Sequence, residues 1–407
     1  MVPQAMDPQE NSHAALDGLT VLDVSRILAG PYCSMILADL GADVIKIERP
    51  PAGDDTRAWG PPFLGDPSQG LSAYYLSVNR GKRSVCMDLK NQAAHDLFLA
   101  MVQQADVLVE NFAPGVADRL GLGVEAIAAA NPRIVHCSIT AFGDEPGPAY
   151  DLVIQGMSGL MSITGPEHGP PMKVGVAVTD VFAGLQAASA ILAAVVARQR
   201  TNRGEHISIS LLGSAVASLV NVGQATLVSG APPRRWGNAH PHIVPYQVFS
   251  SVDGYFTVAA GNDKLFARLC QVIGSAQLAT DARFDTNPRR VANRAALIAA
   301  LEPIFAEKCT NEWLAALRAA DVPCGPVSSL PDLFGGAKPP PGVEMLKLET
   351  ASGATYQTVG PAARMSGRRR NFTGAPLVGE QTDRVLSELL GLDPKRLAQL
   401  HSDSAIQ

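Results

Sequence analysis

One aspartate, Asp180, has the sequence surroundings of a reactive carboxylate. It lies in KVGVAVTDVFAGLQAASAILAAVVARQR, where an apolar segment containing glycine runs into a long helix. Backbone N–H groups and the helix dipole favour an anion at a helix N-terminus, so we expect the pKa of Asp180 to be low. An ionised carboxylate can act as a nucleophile at neutral pH. The same residues also suit an ordinary capping aspartate, and taken alone they favour that interpretation.

Other patterns that carry chemistry are weaker or missing. His240 and His242 have the spacing of two metal ligands, but no third ligand is evident, so we interpret them as loop histidines and predict no metal site. The chain has no GxSxG or Walker A motif, and Gly121-Leu122-Gly123 lacks the third glycine of a dinucleotide fingerprint. The run Arg368-Arg369-Arg370 could bind a phosphate, although such a run is more often a solvated surface.

Basic residues recur at the ends of the apolar runs in the first half of the chain. They are Arg26, Arg49, Lys82, Arg83 and Arg119. In a parallel sheet the loops at the carboxyl ends of the strands meet at one edge, where ligands bind. The pattern therefore fits a ligand with several phosphates, and it fits scattered surface charges equally well.

The elements that must position these residues are alternating strands and helices. We predict strands at 19–24, 42–48, 82–89, 106–110, 133–139 and 206–211, and helices at 30–40, 92–104 and about 180–200. Short apolar strands separated by amphipathic helices are typical of an α/β domain with a parallel sheet. A segment rich in Pro and Gly begins near residue 223. We therefore predict a large domain over 1–222, a small domain over 223–334, and a linker with a C-terminal segment over 335–407.

Composition places the chain among soluble enzymes. Its 407 residues are 46% hydrophobic with a net charge of -5, so a nucleic-acid partner is not expected. The apolar stretch over 174–197 is long enough to cross a membrane, but it contains Asp180 and Gln186, and we predict a buried helix and no membrane partner. Six separated cysteines and the absence of a targeting signal in the first eighteen residues predict a cytoplasmic protein.

Several longer blocks resemble one family, the class III coenzyme A transferases, also called the CaiB/BaiF family. The blocks are LDGLTVLDVSRILAGPYCSMILADLGADVIKIERPPAGDDTR, SVNRGKRSVCMDL, DVLVENFAPGVADRLGLG, YDLVIQGMSGLMSITG and APLVGEQT. Within the family, RRWGNAHPHIVPYQVFSSVDGYFTVAAGND is most similar to enzymes that transfer CoA from succinyl-CoA to dicarboxylates such as glutarate or hydroxymethylglutarate. The family nucleophile is an aspartate in a G-x-x-x-x-D-x-x-x-G context. This identifies it with Asp180, between Gly175 and Gly184, and overrides the capping interpretation.

The resemblance implies a Rossmann-like large domain and a small α+β domain. It also implies a C-terminal segment that returns to the large domain, and a homodimer of two subunits interlocked like rings. The CoA contacts that it implies are Arg26, Ile27, Leu28, Ala29, Arg49, Val78, Asn79, Arg80, Gly81, Asn111, Phe112, Ala113 and Arg119. The mobile loop over the site is identified with Gly237, Asn238 and His240. A CoA thioester is then a substrate, and no permanently bound cofactor is expected.

The implied reaction exchanges one carboxylate for another at a thioester. Asp180 is the covalent relay, through a mixed anhydride and an aspartyl-CoA thioester. Gly143, in the loop ITAFG, is a candidate for bringing a backbone N–H to an oxyanion. Arg234 and Arg235 could pair with the distal carboxylate of a dicarboxylate acceptor. The loop over 142–150 is shorter than is usual in the family.

Two alternatives remain open beside CoA transfer. The α-methylacyl-CoA racemases share the fold and use a histidine immediately before the aspartate that is Asp151 here, where this chain has Tyr150. A protein that binds CoA without turnover would be indicated by a damaged nucleophile, whereas Asp180 is intact. The sequence therefore favours a CoA-transferase.

Overall fold

Six apolar segments in the first half of the chain form one parallel sheet. The computed structural model describes residues 14–143, 145–336, 338–365 and 372–407, so the arginine run at 368–370, interpreted as a solvated surface, lies outside the described residues. The strands are β1 (Thr20–Asp23), β2 (Asp43–Glu48), β3 (Lys82–Cys86), β4 (Val107–Glu110), β5 (Val135–Thr140), β6 (Glu205–Ser210), β7 (Tyr246–Ser250), β8 (Tyr255–Ala259), β9 (Cys324–Pro326), β10 (Met345–Glu349) and β11 (Thr355–Val359).

Helices connect and cover these strands. They are α1 (Ala29–Asp39), α2 (Ala73–Val78), α3 (Gln92–Gln104), α4 (Val116–Arg119), α5 (Val124–Ala130), α6 (Asp151–Met157), α7 (Leu160–Ile163), α8 (Val178–Thr201), α9 (Leu211–Ala217), α10 (Val220–Ser229), α11 (Asp263–Val272), α12 (Asn287–Ala292), α13 (Arg294–Phe305), α14 (Thr310–Ala319), α15 (Leu330–Phe334), α16 (Thr382–Leu390) and α17 (Pro394–Ser402). Short 3₁₀ helices occupy Asp55–Ala58, Pro67–Gln69 and Ala276–Ala279.

The large sheet has the strand order β3-β2-β1-β4-β5-β6, and all of its pairings are parallel. The chain starts at the centre, winds to one edge, and then returns to build the other half, which is the order of a Rossmann-type sheet. The α/β class and the parallel sheet predicted from the sequence are therefore confirmed.

Both faces of this sheet are buried, because successive side chains of a strand point to opposite faces. On one face Val21, Val44 and Val107 pack with residues of α1 and α8. On the other face Leu22 and Leu108 pack with residues of α3, α16 and α17. Helices on both faces explain why the strands are continuous apolar runs.

The longest helix, α8, is apolar enough and long enough to cross a membrane by those two measures alone. Its small residues Ala183, Ala187 and Ala188 are instead buried in the cluster that contains α1. At its last turn Arg198 donates to Asp106 Oδ1 at 2.8 Å. One face of the helix is thus packed into the α/β core, but only 33% of its apolar window is buried, so the predicted burial holds for that face alone.

The chain divides into two units. The first comprises residues up to Leu160, Val174–Ser229 and Pro341–Gln407, and it contains the parallel sheet. The C-terminal segment belongs to this unit, where Met87 forms a bridge with Ile406. The second comprises Met161–Lys173 and Gly230–Pro340, and its antiparallel sheet has the order β7-β8-β9. Its core is aromatic, with Phe305 packed against Phe249, Phe256 and Trp313.

Candidate active site

The centre of the large sheet forms a crevice at its carboxyl edge. β1 and β4 are neighbours, but α1 after β1 packs on one face while α5 after β4 packs on the other. The loops after these two strands therefore diverge, and ligands of such folds bind between them. Arg26 follows β1 and Asn111 follows β4, so two of the predicted contacts meet at this point.

A cleft of about 210 Å³ opens at this edge. Its lining combines charged residues with apolar ones, namely Val24, Arg26, Lys46, Ile47, Glu48, Arg49, Gly53, Asp54, Met87, Asp88, Leu89, Lys90, Phe112, Val116 and Leu120. The side chains of Arg26 and Arg49 are 41% and 56% exposed, and both pair with Asp55. Apolar walls beside exposed cations suit a ligand that carries both a flat ring and phosphates.

One group of predicted contacts lies at the opposite edge of the sheet. It consists of Val78, Asn79, Arg80 and Gly81, which precede β3 and so stand at its amino end. Arg80 is buried, and its guanidinium donates to Asp39 and to the Val359 carbonyl. The residues that line the cleft from β3 are Met87–Lys90, which follow the strand. These residues, missed in the sequence, replace 78–81 as candidates because ligand-binding loops follow parallel strands.

Lys82 and Arg83, also singled out as strand-end cations, are engaged inside the unit. Lys82 Nζ is fully buried and donates to Asp23 Oδ2 at 3.0 Å. Arg83 pairs with Asp43 and, at 2.6 Å, with Glu388. Both residues begin β3 rather than follow it, which explains why neither lines the cleft.

The other predicted contacts cluster around the crevice. Ile27 and Leu28 complete the turn after Arg26, and Ala29 is the first residue of α1. Phe112 lines the cleft, while Ala113 is exposed in the loop that follows it. Arg119 is exposed at the end of α4, whose first residue, Val116, also lines the cleft.

Asp180 is the third residue of α8 and so lies in its first turn. The N-cap position is occupied by Ala177, which makes no side-chain cap, so the capping interpretation is wrong. The expected low pKa is also wrong, since burial and then the negative charge of Asp151 raise the pKa of Asp180 to about 7. A helix N-terminus stabilises an anion by only about 0.3–1 kcal/mol, which is less than the cost of removing a charge from water.

Two side chains of α6 hold the segment that leads into α8. Asp151 Oδ1 accepts from the backbone N–H of Thr179 at 3.0 Å and from its hydroxyl at 2.7 Å. Gln155 donates to Asp151 Oδ2 at 2.7 Å, and its own Oε1 accepts from Val174 N at 2.8 Å. The carboxylate of Asp151 is therefore fixed beside the residue that precedes Asp180.

Tyr74 of α2 belongs to the same neighbourhood, although no motif singled it out. Burial, followed by the negative charges of Asp180, Asp151 and Asp54, raises the pKa of its phenol to about 12. The phenol therefore stays protonated and can donate a hydrogen bond near Asp180. The ring of Trp59 stacks edge-on against Tyr74 at 5.2 Å, which restricts the orientation of the phenol.

Gly143 follows β5, at the same edge of the sheet as the cleft. Its φ of +74° is in the left-handed region that favours glycine, and its carbonyl accepts from Thr140 Oγ1 at 2.8 Å. This bond fixes the conformation of the loop that carries the Gly143 N–H. No contact of Gly143 with Asp180 is part of the described structure.

The predicted acceptor-binding arginines are engaged within the second unit. Arg235 donates to the carbonyls of Ser162, Pro166 and Gly169. Arg234 stacks on the ring of Trp236 at 3.7 Å. It also pairs with Glu167 at 3.2 Å. The guanidinium of Arg235 is thus engaged by three carbonyls, whereas that of Arg234 pairs with Glu167 through one nitrogen and its side chain is 58% exposed.

The predicted loop over the site follows these arginines. Gly237 has a φ of +58°, and Gly237 and Asn238 are exposed. Nδ1 of His240 accepts from His242 N at 3.1 Å, so that nitrogen is not available to a metal. Within the described ranges, no group of three or more His, Cys, Asp or Glu side chains is placed to hold a metal ion.

The chain is similar to known proteins over most of its length. The model of the family described as CoA-transferase family III matches residues 16–382. The human succinyl-CoA:glutarate CoA-transferase is 39% identical over 402 residues, covering 97% of this chain and 91% of that protein. The succinate–glutarate CoA-transferase of Agrobacterium fabrum is 40% identical over 392 residues, covering 94% and 98%. A crystal structure of a CaiB/BaiF family protein from Brucella suis has a TM-score of 0.81 and 41% identity, covering 93% and 100%.

Proposed function

The chain belongs to CoA-transferase family III, and from that membership we propose how it carries out its reaction. It is an enzyme that transfers coenzyme A from succinyl-CoA to a dicarboxylic acid. The group proposed to carry the reaction is Asp180. The observation that supports this role is a carboxylate withdrawn from water in the first turn of α8, beside a second carboxylate that is fixed in place.

The proposed reaction passes the acyl group and then CoA through Asp180. Its carboxylate oxygen attacks the thioester carbonyl, the C–S bond breaks, and CoA leaves as the thiolate. The thiolate then attacks the aspartyl carbon of the mixed anhydride and releases the donor acid, which leaves an aspartyl-CoA thioester. The acceptor carboxylate repeats the two steps in reverse order. Asp180 is regenerated, and no water or external oxidant takes part.

The raised pKa of Asp180 suits this sequence of steps. A carboxylate taken out of water is more basic than an ordinary aspartate, and basicity increases its tendency to attack a carbonyl carbon. With a pKa of about 7, a large fraction of Asp180 is still ionised at neutral pH. Asp151 contributes the like charge and also fixes the start of α8 through Thr179.

Helix packing supports a CoA thioester that extends from the cleft towards Asp180. A methyl group added to Gly184 would lie 2.7 Å from the carbonyl oxygen of Ala29, so α8 and the start of α1 are in close contact. Arg26 lies three residues before that point and lines the cleft. We place the CoA phosphates at Arg26, Arg49 and Lys90, and the adenine beside the apolar walls. Arg49 and Arg26 would then exchange Asp55 for phosphate oxygens.

Two groups are proposed to stabilise the oxyanions that form at each carbonyl. The phenol of Tyr74, whose pKa is raised by burial and by the charge of Asp180, stays protonated and is proposed to donate a hydrogen bond. Gly143 presents a backbone N–H in a loop fixed by Thr140. For the acceptor acid, Arg234 remains a candidate because its side chain is 58% exposed, whereas the three carbonyl partners of Arg235 favour a structural role.

A racemase would require a second base at the α-carbon. The position occupied by the histidine of the racemases is Tyr150, which is 67% exposed. A tyrosine side chain lacks the basic ring nitrogen with which a histidine removes a proton. We therefore expect no solvent deuterium at the α-carbon of a 2-methylacyl-CoA, and its incorporation without CoA transfer would favour the racemase.

Exposed apolar side chains support a homodimer, which we propose to be interlocked as the family resemblance implies. Val220, Leu227 and Val228 of α10 are 68%, 80% and 79% exposed, and none of the residues of α10 is buried. Solvent contact of such a helix is unfavourable, and a second subunit would remove it. Native mass spectrometry tests the proposal, because subunits that are interlocked should exchange only under conditions that unfold them.

The six free cysteines support a reducing compartment, which we propose to be the cytoplasm.

A panel of acceptor acids tests the proposed activity directly. The enzyme is incubated with succinyl-CoA and one acid at a time, and the CoA thioesters are separated by chromatography. We expect dicarboxylates of about five carbons to give a new thioester and one equivalent of succinate. Release of free CoA with every acid would instead indicate a hydrolase.

A further inference from the structure

Side chains, rather than secondary structure, hold the backbone of the turn between β1 and α1. Ser25 N donates to Asp23 at 3.0 Å, and Ser25 O accepts from the buried Lys46 ammonium at 2.9 Å. Arg26 N donates to Asn111 Oδ1 at 2.8 Å, and Arg26 O accepts from Asn111 Nδ2 at 2.7 Å. Both peptide groups that flank the Cα of Arg26 are therefore clamped by one amide from the neighbouring strand β4.

The next residue, Ile27, has an unfavourable backbone conformation. Its φ is +74°, a region that β-branched residues adopt only when their surroundings enforce it. Ile27 N lies 3.3 Å from each carboxylate oxygen of Asp54. Asp54 is in turn fixed by an ion pair with Lys46 at 2.9 Å, in which both side chains are fully buried. The strain at Ile27 is thus opposed by bonds on both sides of it.

This arrangement changes the role that the resemblance implied for Asn111. An amide side chain has two N–H donors and one acceptor oxygen, and in Asn111 the oxygen and one N–H are bonded to Arg26. The orientation of the Asn111 side chain is therefore set by the turn. The guanidinium of Arg26, by contrast, lines the cleft.

We propose that Asn111 and Asp54 are positioning residues that hold the turn over 25–28 in its strained conformation and so direct Arg26 to a phosphate of CoA. The inference rests on the proposed function, because it takes CoA as the ligand of the cleft. The turn also leads directly into α1 at Ala29, which contacts α8 beside Gly184. The side chain of Asn111, which follows β4, therefore fixes both the position of Arg26 in the cleft and the start of α1, the helix that packs on α8.

A double-mutant cycle separates a clamp from a direct contact. Dissociation constants of CoA are measured by calorimetry for the full-length enzyme, Arg26→Ala, Asn111→Ala and the double variant. We expect Asn111→Ala to weaken binding about tenfold, since two hydrogen bonds are lost and the turn relaxes. In the Arg26→Ala background the same change should have less than about a twofold effect, because the residue that Asn111 positions is gone. Fully additive effects would show that Asn111 acts independently of Arg26 and would overturn the proposal.

Relief of the strain gives a second readout. Glycine adopts a positive φ without a steric penalty, so Ile27→Gly added to Asn111→Ala should restore at least half of the lost binding on a logarithmic scale. Absence of any rescue would also contradict the proposal. If Asn111→Ala alone does not fold, the cycle is measured in an Ile27→Gly background. Ile27→Gly then takes the place of the unaltered enzyme, and Arg26→Ala and Asn111→Ala are added to it singly and together.

Asn131 provides a matched control in the same unit. Its side-chain amide donates to the carbonyls of Val102 and Ala105 at 2.9 Å each. These carbonyls lie where α3 ends and the chain turns into the amino end of β4. Asn131→Ala should lower the melting temperature as Asn111→Ala does, but leave the CoA dissociation constant unchanged within about twofold. If the unaltered enzyme does not bind CoA at all, the proposed function is contradicted. If it binds CoA but the effects in the cycle are additive, only the positioning role of Asn111 is contradicted.

Discussion

Asp23 and Asp180 are both carboxylates withdrawn from water, yet their surroundings give them opposite properties. Burial alone would raise the pKa of Asp23, but Lys82, Lys46 and the hydroxyls of Ser25 and Ser34 lower it to about 2. At Asp180 both causes act in the other direction, since burial and then the negative charge of Asp151 raise its pKa to about 7. The same residue type is thus a permanent anion in one place and, in the other, a group that titrates near neutral pH and that we propose as the nucleophile. Neighbouring charge, rather than burial, separates the two roles.

The largest expected effect is on catalysis at Asp180. Asp180→Asn keeps the shape of the side chain but removes the nucleophilic oxygen, so we expect kcat to fall by about 10⁴ or more with little change in melting temperature. The measurement is the rate of succinyl-CoA consumption with an active acceptor acid. Substantial activity in a preparation free of asparagine deamidation would exclude Asp180 as the covalent relay.

The matching change at Asp23 should act on stability instead. Asp23→Asn leaves the fully buried Lys82 ammonium without its ionic partner, and breaking such a pair typically costs about 3–5 kcal/mol. We therefore expect a large drop in the free energy of unfolding, measured with urea, and a kcat per folded molecule much closer to that of the unaltered enzyme. Equal losses of kcat at the two positions would remove the distinction between them.

The two carboxylates should also respond to pH in opposite directions. For Asp180 the folded-state pKa lies above the ordinary value, so its contribution to stability is full below about pH 4 and is lost as the pH rises through 7. For Asp23 the folded-state pKa is depressed, so its contribution is present above about pH 4 and is lost as the pH falls through 2. Urea unfolding of Asp180→Asn should therefore lack part of the decline in stability between pH 4 and 7. An unchanged pH dependence would contradict the raised pKa.

A smaller effect should follow from removing the like charge beside the nucleophile. Asp151→Asn can still accept from Thr179 but carries no negative charge, so the pKa of Asp180 should decrease while most of the burial effect remains. The acidic limb of the kcat/KM profile should move to lower pH by less than about one unit. Gln155→Ala, which leaves both carboxylates in place, serves as the control for loosening of α6. A shift of the same size in both variants would assign the effect to geometry rather than charge.

Much of the fold could be predicted from the sequence because parallel strands covered on both faces are short, continuous apolar runs. The predicted strand over 106–110 corresponds to Val107–Glu110, and that over 42–48 corresponds to Asp43–Glu48. Helix α8 likewise follows from its apolar run and its terminal arginines. The local sequence pattern was sufficient to predict a strand or helix wherever a single apolar run determined that element.

The pKa of Asp180 could not be predicted in the same way. The sequence shows a helix N-terminus, which favours the anion, but it does not show that Asp151, 29 residues earlier in the chain, approaches through Thr179. Residues 78–81 illustrate a second limit. The family resemblance implied that they contact CoA, whereas the topology places them at the amino edge and brings Met87–Lys90 to the cleft. Both cases depend on pairings between distant parts of the chain.

Chemical trapping of the aspartyl intermediate tests the central claim most directly. Hydroxylamine is added during turnover of succinyl-CoA with an acceptor acid, and the modified residue is located by peptide mass spectrometry. We expect a hydroxamate on Asp180 that appears only with acyl-CoA present, while Asp151 and Asp23 stay unmodified. Turnover that continues without any modification of Asp180, or with a hydroxamate on another carboxylate, would contradict it.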